Sequence, residues 1–424
     1  MICLWLGGAG RAEEPLLADA QWLPPGSNLA ATLAAEPLPY FATEAAGGRR
    51  SLLTRLGELA FRAPAVLGGQ ARLRDLACAT CHGNGHAHTA FFVPGLSDRP
   101  GNVDVTADFF NPAHDDGRFN PVNIPSLRGV ADTAPYGRQG RFASLREFTR
   151  HAIVVEFDGP EPTPWLLDAL VAYLNELGFL PSALLDASGG LLAQAGTAAR
   201  RGEALFRRPY SGLGGRACAS CHPPSAHFTD RQRHDVGTGG VYDTPSLLGG
   251  AVSAPYGHDG RFRDFPAVIA HFDRQFGLAL KRGERADLAA YLAAVGSADQ
   301  PSRPIALAGD LDRLQGFLPL LEHALAEDWR ALGGFVAGAL RHELGRLAAR
   351  FPPPDGRLAQ AALVERSRLL QAMQAAFEAG DFGGASDRHA ALRAGWPELS
   401  DRLAAAAARS LYDPARLGAA SMAR

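Results

Sequence analysis

Apolar residues recur with a helical period in several separate stretches of the chain. The clearest stretch is 164–177, where apolar residues three and four positions apart form one face. A similar pattern starts at Ser51 and stops before Pro64, because the residue that precedes a proline disfavours helix. Residues 144–156 predict a third helix, whereas 83–125 are rich in Gly, Asn, Asp and Pro and predict a long loop. The pattern therefore predicts a mainly α protein.

The pattern also repeats itself along the chain. Residues 114–151 align without a gap with 234–271, with sixteen identities in thirty-eight positions. This alignment makes His234 the copy of His114. Two similar halves, each of the form helix, motif, loop and helix, are the expected result. Shorter repeats are 57–64 with 202–209, and 170–174 with 288–292.

Beyond Pro301 the pattern changes to helical apolar spacing without any cysteine. Breaks are predicted at Gly333-Gly334, at Pro352-Pro353-Pro354 and at 380–384, which leaves an appendix of three to five helices. The predicted domains are a leader and lead-in (1–48), a first half (49–190), a second half (191–299) and a helical appendix (300–424).

A Cys-x-x-Cys-His motif occurs once in each half, at 78–82 and at 218–222. Two thiols on one helical turn can form thioethers to a haem, and the following histidine can bind its iron. A shared four-cysteine zinc site is disfavoured, because the two pairs lie far apart and each has its own histidine. The sequence thus predicts two covalently bound haem c groups, held by Cys78, Cys81, His82, Cys218, Cys221 and His222.

Charge and hydropathy exclude some functions and indicate a compartment. The formal net charge is −2, which argues against nucleic acid as a partner. No stretch beyond the first residues is long and apolar enough for a membrane span. Residues 1–12 are typical of the end of a secretory signal peptide. Since haem is normally attached to such motifs outside the bacterial cytoplasm, the prediction is a periplasmic protein.

The tandem block at 253–261, Ser-Ala-Pro-Tyr-Gly-His-Asp-Gly-Arg, together with the two motifs, resembles the bacterial dihaem cytochrome c peroxidase and MauG superfamily. The resemblance covers about 50–298. It implies two tandem cytochrome c-like haem domains with a calcium ion between them. The N-terminal haem would react with hydrogen peroxide, and the second would relay electrons from a small donor such as a cytochrome c or a cupredoxin.

The resemblance also implies roles for individual residues. Asn123 matches the calcium-binding asparagine, and Ser253 and Pro255 stand where the family lends backbone oxygens to that ion. His114 lies one position from the histidine that reversibly blocks the peroxide-binding haem. The distal acid, which would move protons during peroxide cleavage, corresponds to Glu156 or Asp158.

The sequence does not decide which residue is the sixth ligand of the second haem. Phe272 occupies the family position and cannot bind iron, and the haem domains contain no methionine. His271, one residue earlier, is the first candidate and His234 the second. His151, the copy of His271, and His258 are weaker candidates.

The chain departs from the family at two further positions. Arg138 replaces the tryptophan between the haems, and Phe148 replaces a distal glutamine. Tyr136 or Tyr256 could act as a relay in place of that tryptophan. Three functions remain: a peroxidase, a MauG-like oxidase that modifies a partner protein, and an electron carrier with two closed bis-histidine haems.

Overall fold

The computed structural model describes residues 22–28, 32, 39–297, 306–413 and 415–416. The expected leader lies outside the described residues. One compact unit is Ala34–Arg303, and the other consists of Pro304–Arg424 with the described part of Met1–Leu33. The protein is mainly helical, which confirms the predicted class.

The three helices predicted in the first half are present. Ser51 and Ser144 begin two of them, because each hydroxyl accepts a hydrogen bond from a backbone N–H of the first turn. The helix after Ser144 ends in one turn of π-helix. The helices of this half are α1 (Ala42–Ala45), α2 (Leu52–Arg62), α3 (Gly69–Leu73), α4 (Cys78–Cys81), α5 (Leu145–His151, with the π-turn Ala152–Glu156) and α6 (Pro164–Glu176).

The second half repeats this arrangement with α7 (Thr197–Arg207), α8 (Cys218–Cys221), α9 (Phe265–Phe276) and α10 (Arg282–Val295). In each half the first long helix crosses the last one at a glycine. A Cβ atom on Gly57 would lie 1.9 Å from the carbonyl oxygen of Ala169, and one on Gly202 would lie 2.0 Å from that of Asp287. Only glycine permits such a close approach of two helices.

Each half also contains a two-stranded antiparallel hairpin, and the hairpins correct the predicted repeat. In the first, β1 (Asn102–Val103) pairs with β2 (Val122–Asn123), and in the second, β3 (Arg233–Asp235) pairs with β4 (Val241–Asp243).

Since Val122 aligns with Tyr242, the strand partners Val103 and His234 are equivalent. His234 is therefore not the copy of His114. Nineteen positions separate Val103 from Val122 and eight separate His234 from Tyr242, so the first connection is eleven residues longer. The ungapped alignment hid this insertion, because a chance His-Asp match extended it. His114 lies in the insertion.

The two halves meet through a reciprocal pair of backbone hydrogen bonds. The N–H of Asn123 donates to the carbonyl of His258 (2.9 Å), and the N–H of Asp243 donates to that of Arg138 (3.1 Å). In the repeat alignment, Asn123 corresponds to Asp243 and Arg138 to His258. These four residues form what we call the seam, which has approximate twofold symmetry.

The other unit is a bundle of five helices within the described residues. Gly333 and Gly334 do not break a helix there, contrary to the prediction. A Cβ atom on Gly333 would lie 2.3 Å from the ring of Phe377, so the glycine serves close packing instead. The helices are α11 (Leu307–Ala326), α12 (Arg330–Ala349), α13 (Arg357–Ala379), α14 (Phe382–Ala394) and α15 (Trp396–Ala406).

Candidate haem sites

The first Cys-x-x-Cys-His motif forms a single helical turn that ends at its histidine. The backbone N–H of His82 donates to the carbonyl of Cys78 (3.0 Å), and that of Ala77 donates to the hydroxyl of Thr80 (3.0 Å). Nδ1 of His82 lies 3.0 Å from the carbonyl oxygen of Pro125. This bond orients the ring and leaves Nε2 for a metal.

The second motif repeats this geometry. The N–H of His222 donates to the carbonyl of Cys218 (3.0 Å), and that of Ala217 donates to the hydroxyl of Ser220 (3.1 Å). Nδ1 of His222 lies 2.9 Å from the carbonyl oxygen of Phe228, so its Nε2 is also left for a metal.

The protonation states at both motifs suit haem. Burial lowers the pKa of His82 to about 4 and also lowers that of His222, so both rings are neutral and able to bind iron near pH 7. Burial raises the pKa of Cys78 and of Cys81 to about 12. Two half-buried thiols on one turn, followed by an oriented neutral imidazole, fit the requirements of a c-type haem.

A cluster of ionisable groups occupies the π-turn of the first half. Nε2 of His151 lies 3.9 Å from Oε1 of Glu156. Burial raises the pKa of Glu156, while the positive charge of Arg141 opposes the rise. The pKa of His151 is lowered by burial and by the charges of Arg141, His114 and Arg150. A carboxyl group that retains its proton beside a histidine can act as a general acid.

The equivalent helix of the second half, α9, has no π-turn, and His271 there contacts a backbone carbonyl instead of a carboxyl group. His151 and His271 have matching surroundings: the ring centroids of His151 and Phe142 are 4.7 Å apart, and those of His271 and Phe262 are 4.9 Å apart. Nε2 of His271 lies 2.7 Å from the carbonyl oxygen of Val236. In this conformation, Nδ1 is the nitrogen of His271 that remains for a metal.

The other predicted distal residues are placed differently. The insertion that carries His114 is anchored on the π-turn, since the side-chain amide of Asn111 donates to the carbonyl of Val155 (2.7 Å). His114 itself is exposed. Asp158 is exposed at a positive φ of 49°, and its carbonyl packs closely against Gly68. Of the two candidate acids, Glu156 is the one that lies beside a histidine.

His234 lies near the second motif. Its Nε2 is 2.7 Å from Oδ2 of Asp230, and Asp230 donates its backbone N–H to the carbonyl of Cys221 (2.9 Å). The side chain is thus tied to the segment that carries the motif.

Of the predicted calcium ligands, Asn123 belongs to the seam, and Ser253 and Pro255 lie on the loop that leads to His258. Oδ1 of Asn123 is buried and has no hydrogen-bond partner. The N–H of Ile124 donates to the carbonyl of Gly101 (2.9 Å), and a Cβ atom on Gly101 would lie 2.6 Å from the ring of Pro255. Ser253 lies on the same loop, and its hydroxyl donates to the carbonyl of Gly250. A buried oxygen without a donor fits a hard cation such as calcium.

The sequence analysis did not identify the four residues of the seam as one group. Asp243 Oδ1, Arg138 Nη2 and His258 Nδ1 are also buried without a hydrogen-bond partner. Burial and the charge of Asp230 raise the pKa of Asp243 to about 6. The ring of His258 stacks on Tyr242 with centroids 4.0 Å apart. The signal was present in the repeat alignment, which pairs Asn123 with Asp243 and Arg138 with His258.

The two proposed relay tyrosines have structural contacts. The hydroxyl of Tyr256 donates to the carbonyl of Gly250 (2.7 Å), and its ring stacks on Phe265 at 4.8 Å. The ring of Tyr136 is buried and stacks on Phe148 at 6.4 Å.

Comparison with known proteins gives a limited result. No model of a known protein family matches the chain. A stretch of 84 residues is 39% identical to hydrazine synthase subunit gamma of Kuenenia stuttgartiensis, and this covers 19% of the chain and 21% of the curated relative. The matched stretch therefore spans about a fifth of that protein's length.

A solved structure of Kuenenia stuttgartiensis hydrazine synthase pressurised with xenon is also similar. It has 21% identity, a TM-score of 0.42, and coverage of 69% of this chain and 99% of that chain. This similarity is too low to support an argument. Among the described residues, no helix is long and apolar enough to cross a membrane.

Proposed function

We propose that this chain is a periplasmic dihaem c-type oxidoreductase of the peroxidase and MauG superfamily. The observation that carries the proposal is the paired geometry of His82 and His222. Each follows a one-turn helix with two thiols, and each has Nδ1 held by a backbone carbonyl. A haem bound at His82 would supply an iron with an open position for hydrogen peroxide.

The chain's own residues support chemistry in the first half. Burial raises the pKa of Glu156, which favours the protonated carboxyl group that could donate to a leaving oxygen. In the second half, His271 contacts the carbonyl oxygen of Val236 instead of a carboxyl group, which leaves electron transfer as the role proposed there. Reduction of one peroxide to two water molecules takes two electrons and two protons, and a small cytochrome c or cupredoxin would supply the electrons.

Three observations support other parts of the proposal. The short similarity to a subunit of an enzyme favours a catalytic function over a passive one. The unpartnered Oδ1 of Asn123 supports a calcium ion at the seam, with backbone oxygens of Ser253 and Pro255 as further ligands. The guanidinium of Arg138, buried at the same place, suits an anionic group such as a haem propionate.

The test has two stages. Intact mass should show two covalent haems, with one lost in Cys78→Ser and the other in Cys218→Ser. Purified protein should then oxidise a reduced small cytochrome c in the presence of peroxide, and Cys78→Ser should not. A protein with both haems that shows no peroxide-dependent turnover contradicts the peroxidase function.

A second candidate function is that of an electron carrier in which both haem irons would have two histidine ligands. It is favoured because His151 and His271 have the same surroundings in the two halves. Both could then act as sixth ligands. Electron paramagnetic resonance distinguishes the two functions. A high-spin haem signal, at rest or after one-electron reduction, supports the peroxidase, and its absence in both states supports the carrier.

A further inference from the structure

Three possible metal ligands lie together beside the second motif. The ligand atoms of Cys221, Asp230 and His234 all lie within 4.8 Å of one another, and all three residues are half-buried. Oδ1 of Asp230 accepts a hydrogen bond from the N–H of Gln232 (3.0 Å), which fixes the carboxylate and leaves Oδ2 facing His234. Among the described residues, this is the one group of this kind.

The three ligand atoms indicate which class of metal would bind here. A thiolate, an imidazole and a carboxylate suit zinc, with a water molecule as fourth ligand. Zinc–ligand bonds of about 2.0–2.3 Å in a tetrahedral site place the donor atoms roughly 3.3–3.7 Å apart. Small side-chain movements would bring the three atoms to that spacing. We propose that the haem-free chain binds one zinc ion through Cys221, Asp230 and His234.

The site belongs to the second half alone. Val103 occupies the position equivalent to His234. His88 donates its N–H to the carbonyl of Cys81, as Asp230 does to that of Cys221 (2.9 Å each). Val103 cannot bind zinc, and among the described residues no group of three possible ligands includes Cys81.

The consequence for maturation rests on the proposed haem attachment. A thioether forms when the S–H of a cysteine adds across a haem vinyl group, with sulfur joining one carbon and the proton the other. The Cys221 sulfur cannot do this while it binds zinc as a thiolate, since metal binding has already released its proton. Zinc therefore competes with haem at the second motif and not at the first.

Cobalt(II) is the spectroscopic probe for the metal site. The full chain, produced without haem attachment and kept reduced, should bind one cobalt(II) ion with sulfur-to-cobalt charge-transfer absorption, and zinc should displace it. His234→Val, which installs the residue of the first half, should weaken binding at least ~10-fold. Asp230→Asn should weaken it too, and Cys221→Ser should abolish the charge-transfer bands.

Cys81→Ser is the matched control and should leave cobalt binding unchanged. Unaltered binding in His234→Val and Asp230→Asn, or its loss in Cys81→Ser, would overturn the site. For the competition, haem attachment in vitro is followed by mass spectrometry of peptides with and without zinc. Slower attachment at 218–222 alone is expected, and equal slowing at both motifs refutes the competition. If neither motif takes haem, the proposed function fails, while the cobalt titration still decides the metal site.

Discussion

At the scale of single residues, the two halves differ around the equivalent histidines His151 and His271. Nε2 of His151 lies 3.9 Å from Oε1 of Glu156, whereas Nε2 of His271 lies 2.7 Å from the carbonyl oxygen of Val236. Under the proposed function, proton transfer would belong to the first half.

Replacing Glu156 with Gln should lower peroxide turnover by about 10²–10⁴-fold, because the amide keeps the size but has no acidic proton. Glu147→Gln, an exposed position on the same helix, is the control and should retain full turnover. Stopped-flow mixing with peroxide measures both variants. Full activity in Glu156→Gln would contradict the proposal that Glu156 is the general acid.

The proposed second haem would receive its sixth ligand from a single residue. His271→Ala should convert that haem from low spin to high spin, whereas His234→Ala should leave it low spin, because Asp230 holds His234 beside the motif. Absorption and magnetic resonance spectra show the spin state. If His234→Ala and not His271→Ala gives a high-spin haem, His234 is the sixth ligand. If neither variant changes the spin state, His258 is the next candidate.

Asp243 makes stability depend on pH in a direction unusual for an acid. Burial raises its pKa to about 6 from the ordinary 3.8 of an aspartate, so the folded state binds more protons than the unfolded state between those values. Stability should therefore fall as pH rises through this window. Asp243→Asn should raise the melting temperature at pH 7 and have little effect near pH 4, measured in chelator.

The control for that measurement is Asp235→Asn, an exposed position on the neighbouring strand. It should shift the melting temperature by the same small amount at both pH values. An equal shift at both pH values in Asp243→Asn would contradict the raised pKa.

At the scale of elements, each half depends on one helix crossing at a glycine. In Gly202→Ala the new methyl group would meet the carbonyl of Asp287 and separate α7 from α10. Such overpacking costs about 1–3 kcal/mol in the free energy of unfolding. Gly283 lies in the same α10 with open space around it, so Gly283→Ala should instead stabilise by about 0.5 kcal/mol. Urea unfolding compares the two, and equal effects would refute the packing argument.

The elements also show what the sequence could predict. Helical spacing, Ser51 and Pro64 located α2 to within a residue, because these signals act locally. The insertion before β2 was missed, because the chance match of His114-Asp115 with His234-Asp235 extended the ungapped alignment past it. Gly333 was wrongly taken as a break, because its role depends on Phe377, forty-four residues away. Contacts between distant residues leave little trace in local patterns.

At the scale of the whole molecule, the seam joins the halves, and the proposed calcium ion would lie there. Calcium added to chelator-treated protein should raise the melting temperature. At a concentration one hundred times the Kd, the expected stabilisation is about 2.7 kcal/mol. Asn123→Ala should abolish the response, because its buried Oδ1 is the proposed side-chain ligand. Asn120→Ala, an exposed neighbour, is the control, and an undiminished response in Asn123→Ala would place the ion elsewhere.

The reciprocal hydrogen bonds of the seam have a consequence for the protein's ancestry. An approximately twofold contact between similar halves is the contact that two identical single-motif chains would make in a symmetric dimer. In such a dimer every substitution occurs in both subunits. Once gene fusion joins the subunits, each copy can change by itself. The difference between Val103 and His234 is one that two identical chains could not have acquired, because a substitution in one half now leaves the other half unchanged.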